Sequence, residues 1–193
     1  MPSPESNRTV DVPPTVSTFG GCSLMLTPGS VTRSVPVHVA ACGSVPPAVT
    51  DDGRELLVVA AWLHDIGYSP AVRDAGSQQV DGAAHLEREG YPERLCALVA
   101  HHSAASYEVA ERGLGDRLAR WERERSPVAD ALWTADMTTG PGGQRMSYPE
   151  RLDEILERYE PDSAVARAMT TARTSIEAAI DRTTRHLERA RLS

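Results

Sequence analysis

The sequence contains no lysine: all 20 of its basic side chains are arginines. That excludes the lysine of a phosphate-gripping P-loop and the amine of Schiff-base chemistry, and it reads as a codon bias more than a functional device. Cysteine is scarce as well. Cys22, Cys42 and Cys96 have no C-x-x-C spacing, so neither a zinc knuckle nor a disulfide framework is indicated, and a reducing, cytoplasmic compartment is the expectation. No apolar run approaches the roughly 20 residues that cross a bilayer. Residues 1–24 lack the basic start and continuous apolar stretch of a secretory signal. Gly20, Gly21 and Cys22 look like a lipoprotein cleavage site, but VDVPPTVSTF before them carries an aspartate and two prolines, and we reject that reading.

Positive charge is also in deficit. A net charge of -7 and a pI near 5.4 speak against nucleic acid as a partner, and we expect no membrane partner either. With 193 residues, 40% of them hydrophobic, the chain can bury one full core, so a single domain is expected. Residues 1–49 stand apart: they hold 8 of the 14 prolines and only four charged side chains, with no lasting helical or strand period. Such a segment buries too little apolar surface to offset its ordering entropy, and we expect an irregular tail over 1–49 and an all-α domain over 50–193. Two explanations fit the abrupt change: divergence of a first helix, or a recorded start that is not the natural one.

The rest is organised around Leu56 to Tyr68, LLVVAAWLHDIGY, in which eight consecutive apolar residues run into His64 and Asp65. Leu, Ala and Trp outnumber the β-branched pair Val58 and Val59, and Gly67 supplies a stop. A helix over 53–66 is expected, apolar on every face, with the ionisable pair on its last turn. An unpaired buried carboxylate is costly, so the pair needs partners. Alone it would be read as a solvated helix end.

Further helices are expected over 79–89, from Pro92 onward with His102 on the buried stripe and His101 beside it, and over 105–112 and 114–124. Ser126 and Pro127 open another, whose apolar face carries Asp136. Ser147 and Glu150 form a capping box for a helix over 149–159, and two last helices are expected over 164–171 and 175–192. Each ionisable group has a bland reading on its own, as a satisfied core histidine or an arginine-paired aspartate. Together, imidazoles and carboxylates on several helices are how bundles build sites for Mn, Fe, Zn, Ni or Mg.

In order, HDIG at 64–67, the histidines at 101 and 102, and Asp136 in ADMTTG resemble the HD-domain superfamily of metal-dependent phosphohydrolases, over roughly residues 50–190. The resemblance implies an all-α HD-type fold and a divalent metal, one of Mn, Fe, Ni, Co, Zn or Mg. It makes His64, Asp65 and Asp136 ligands of the principal ion. His101 and His102 would line a second metal site or the phosphate pocket, and Asp65, His101 and His102 would have catalytic roles. A small phosphorylated substrate is the implied partner, with Arg73 and Arg145 as candidate phosphate clamps.

The sequence also departs from that pattern. The family begins with another histidine on an upstream helix. Here His38 has nearly the right spacing, but Pro36 and Pro46 limit any helix around it. Relatives with a second metal carry a histidine between the HD and HH pairs, where this chain has Gln78. His85 is expected to be a solvated helix histidine. Three functions stay open: a phosphohydrolase of a nucleotide or other small phosphate, a catalytically impaired nucleotide-binding regulatory protein, and an HD-type di-iron oxygenase.

Overall fold

The structure is a computed structural model that describes residues 16–19, 22–25 and 53–192. His38 and the expected boundary near residue 50 lie outside the described residues. Within the segment expected to be an irregular tail, β1 (Val16–Phe19) pairs antiparallel with β2 (Cys22–Met25). Among the described residues every other regular element is helical, as expected: α1 (Gly53–Leu63), α2 (Gln78–Arg88), α3 (Glu93–Ala100), α4 (Ala105–Glu111), α5 (Gly115–Leu118), α6 (Pro127–Met137), α7 (Tyr148–Arg158) and α8 (Ala164–Leu192). No helix among the described residues is long and apolar enough to cross a membrane.

Two apolar clusters meet along α6. Leu56, Ala60 and Leu63 of α1 pack with Leu86 of α2, with Leu95 and Val99 of α3 and with Leu132 of α6. One residue further along α6, Trp133 joins a second cluster with Met137, Leu152, Ile155, Met169 and Ile176. Burying each such side chain contributes about 1.5–3 kcal/mol, so α6 is held from both sides, between α1 and α8. Polar contacts fix its rotation. The Trp133 indole donates to the His101 carbonyl at 2.9 Å, and Arg182 of α8 grips Asp130 with two bonds of 2.7 Å.

Helix boundaries differ from expectation in four places: α5 covers only Gly115–Leu118 of the expected 114–124, and the other three concern α1, α3 and α8. First, α1 stops at Leu63, which leaves His64 and Asp65 in the turn that precedes a 3-10 segment, Ile66–Tyr68. Only one stripe of α1 is buried, and Val58 is half exposed, so the apolar run is not a core helix on all sides. Second, Pro92 is the N-cap of α3, and His101 its C-cap. Third, α8 is one helix of 29 residues where two were expected. Thr170 and Thr171 return their hydroxyls to the carbonyls of Ala166 and Arg167, at 2.8 and 2.9 Å, so both are satisfied without breaking the helix. The capping box of Ser147 and Glu150 forms as expected.

Candidate metal centre

The centre begins with a close approach. A Cβ on Gly67 would lie 1.8 Å from the Gln78 carbonyl oxygen, so only glycine lets the 3-10 turn sit on the first residue of α2. Gly82, one turn into α2, meets the same segment, and its own Cβ would be 3.2 Å from the Gly67 nitrogen. The loop between is tied back by Asp81, whose carboxylate accepts from the Ala75 and Gly76 amides at 2.6 and 3.2 Å. The result is a rigid junction that carries His64 and Asp65 on one side and Gln78 on the other.

Opposite lies the end of α3, where the chain reverses through Ser103 (φ 36°) and Ala104 (φ 66°) before entering α4. Left-handed backbone in non-glycine residues costs on the order of 1–2 kcal/mol each, and it falls directly after His102, which is almost fully buried. The third wall is the last turn of α6 with Asp136.

One ligand atom from each of His64, His102 and Asp136 lies within 4.8 Å of the others. Both histidines are oriented alike. His64 Nδ1 donates to the Ala61 carbonyl at 2.8 Å and His102 Nδ1 to that of Val99 at 2.6 Å, which leaves the Nε2 atoms to face the centre. His64 Nε2 is buried and makes no hydrogen bond. It stands 3.4 Å from Asp65 Oδ2 and 3.7 Å from Asp136 Oδ1, ion-pair separations without hydrogen-bond alignment. His102 Nε2 is 3.9 Å from Asp65 Oδ1 and accepts from the Gln78 amide nitrogen at 3.1 Å.

The charges are tightly interlocked. Burial opposes a charge on His64, but Asp65 and then Asp136 outweigh it and raise its pKa to about 10. Burial also opposes ionisation of Asp136, yet the His64 contact and the positive charge around it hold that carboxyl far below the usual range. His102 is pushed down, first by burial and then by the His64 charge. Two oriented imidazoles, one of them with an orphaned buried nitrogen, and a part-buried anionic carboxylate form a donor set that fits a divalent cation. A proton on His64 supplies the positive charge when no ion does.

Asp65 is half exposed at the rim, within reach of both histidines. His101 does not join the centre, contrary to the ligand and catalytic roles expected for it. Successive residues on a helix point about 100° apart, and His101 turns the other way, donating from Nε2 to the Trp121 carbonyl at 2.7 Å. His85 is half-buried on α2 and takes no part.

Beside the centre runs a cleft of about 240 Å³, which Gln78, Tyr68, Tyr159, Arg73 and Arg112 help to line. Tyr68 leaves nearly half its surface open while its hydroxyl is tucked against Tyr159, and burial, followed by the Asp65 charge, raises its pKa. Arg112 is taken up by Glu108 at 2.8 Å, and Glu108 also accepts from Gln79 at 3.0 Å. Arg73 has no ion-pair partner among the described residues. Arg145 lies elsewhere, in the loop after α6, opposite Thr139. The tyrosines and the Gln79–Glu108–Arg112 chain were not singled out from the sequence, where they read as ordinary helix and loop positions.

The family model of the HD domain matches residues 42–139 of the chain. The match takes in His64, Asp65, Gln78, His102 and Asp136 and stops short of His38. No curated protein and no solved structure matches.

Proposed function

The chain belongs to the HD-domain family, and from that premise we propose that it is a metal-dependent phosphohydrolase of a phosphomonoester or phosphodiester, a nucleotide or another small phosphate. The observation that carries this reading is the convergence of His64, His102 and Asp136 within 4.8 Å from three separate helix ends. His64 and His102 would hold the ion through Nε2, and Asp136 through its carboxylate. Bound there, a divalent cation would polarise a phosphoryl oxygen and acidify water. We propose a single ion, because Gln78, an amide, occupies the side of His102 where a further imidazole would be needed.

The chain's own groups divide the remaining work. Asp136, part-buried and anionic, supplies the charge that two neutral imidazoles lack. Asp65 is the exposed carboxylate of the group, suited to orienting a water molecule and accepting its proton. Arg73, on the cleft and not engaged by a carboxylate of the described residues, can receive a phosphate oxygen. Tyr68 and Tyr159 offer ring faces and hydroxyls to the organic part of the substrate.

The test is turnover of generic phosphate esters and a nucleotide panel by protein loaded in turn with Mn, Fe, Ni, Co, Zn or Mg. Hydrolysis should appear with at least one ion, and Asp136→Asn should reduce it by orders of magnitude with helix content unchanged. No turnover with any ion would contradict the hydrolase reading and favour a binding role.

A further inference from the structure

We infer that Gln78 is a positioning residue whose side-chain amide caps His102 in the metal-free protein and turns to an oxyanion in the adjoining cleft once a metal ion takes the His102 lone pair. The inference rests on the metal-centre reading above and adds to it the group that holds the ligand.

The hydrogen-bond roles leave little choice. His102 Nδ1 is committed as a donor to the Val99 carbonyl at 2.6 Å, so its Nε2 is an acceptor, and the Gln78 amide nitrogen must be the donor across their 3.1 Å contact. A cation and Gln78 therefore compete for one lone pair. When the cation wins, the amide N–H loses its partner at a part-buried position, and it needs another acceptor.

The other half of the amide already lacks one. Gln78 Oε1 is buried with no hydrogen-bond partner. Both ends of this amide are thus matched to a ligand that brings an acceptor and a donor together, as a partly protonated oxyanion does. Around the cleft most of the remaining polar groups are engaged: Asp81 by the Ala75 and Gly76 amides, and Arg112 by Glu108. Arg73 and the Gln78 amide are left to meet an incoming anion.

The backbone under Gln78 cannot drift, since Gly67 packs directly on its carbonyl oxygen. Only the side-chain torsions need change, which makes the transfer from His102 to a ligand a local rotation. An aspartate or glutamate at this position would strengthen cation binding but repel the anion, and a glutamine does neither.

The experiment measures, by titration calorimetry, the binding of Mn(II) alone and then of inorganic phosphate to the Mn-loaded full chain, for the natural protein, Gln78→Ala and the isosteric Gln78→Glu. Removing the competitor should leave Mn(II) binding to Gln78→Ala as tight as before or tighter, while phosphate affinity falls about tenfold, the loss of one charge-assisted hydrogen bond. Gln78→Glu should bind Mn(II) more tightly and phosphate more weakly still. Phosphate affinity unchanged in both variants would overturn the inference. So would Mn(II) binding weakened by Gln78→Ala, which would make the amide a ligand. Failure of the natural protein to take up Mn(II) would be a different result, one that removes the metal centre itself and this role with it.

Discussion

His64 and His102 stand edge to face, with ring centroids 5.0 Å apart and planes at 80°, each ring pinned by its Nδ1 to a carbonyl of its own helix end. The two Nε2 atoms are therefore aimed before any ligand arrives. Holding two imidazoles this close with one of them charged is unfavourable unless carboxylates intervene. Asp136 does so from behind, and Asp65 from the rim.

That arrangement makes metal uptake a proton exchange. Without an ion His64 keeps its proton up to about pH 10, so an ion that binds at Nε2 near neutral pH must displace it. Calorimetry in buffers of different ionisation enthalpy should report about one proton released per ion bound. Apparent affinity should rise as pH climbs, by up to about tenfold per unit, and level off near the raised pKa. The sign for folding is the reverse: protonated His64 stabilises the metal-free fold fully below its ordinary value of 6.5, and that contribution is lost as pH rises towards about 10. Uptake without proton release would mean that the ion binds elsewhere.

The neighbouring histidines should separate cleanly. His102→Ala removes a lone pair from the centre and should abolish metal retention. His101→Ala should leave metal content unchanged but cost about 1–3 kcal/mol of stability, because the Trp121 carbonyl loses its donor. Metal analysis and urea unfolding of the two variants check this, and metal loss in His101→Ala would return that residue to the site.

Gly67 is a backbone requirement and not a ligand. Gly67→Ala would drive a methyl group into the Gln78 carbonyl, so the 3-10 turn and α2 must part. The expected cost is about 3 kcal/mol or more, read as a shift in the urea midpoint with metal affinity reduced as His64 and Gln78 separate. A midpoint within experimental error of the natural protein would show that the approach is looser than described.

The fold class was legible because helical periods, the Ser126–Pro127 start and the Ser147–Glu150 box are local signals that the structure keeps. His64, His102 and Asp136 could be picked out because each is an ionisable group next to apolar helical residues. Where a signal was local but incomplete, the reading slipped. Two helices were expected over 164–171 and 175–192, although threonines that bond their own helix need no break there. The family resemblance gave His101 a role beside His102, although neighbours on a helix end face different ways. The contact of Gln78 with His102, the hydroxyl pairing of Tyr68 and Tyr159 and the cleft beside them join residues distant in sequence, and no local pattern encodes which face meets which.

The most direct measurement is the metal content of protein purified without chelators, by elemental analysis, for the natural chain and for His64→Ala, His102→Ala and Asp136→Ala. The account predicts close to one divalent transition-metal ion per chain in the natural protein and background levels in each variant, with far-ultraviolet circular dichroism unchanged. Background metal in the natural protein, even after reconstitution, or a full complement retained by the folded variants, would contradict it.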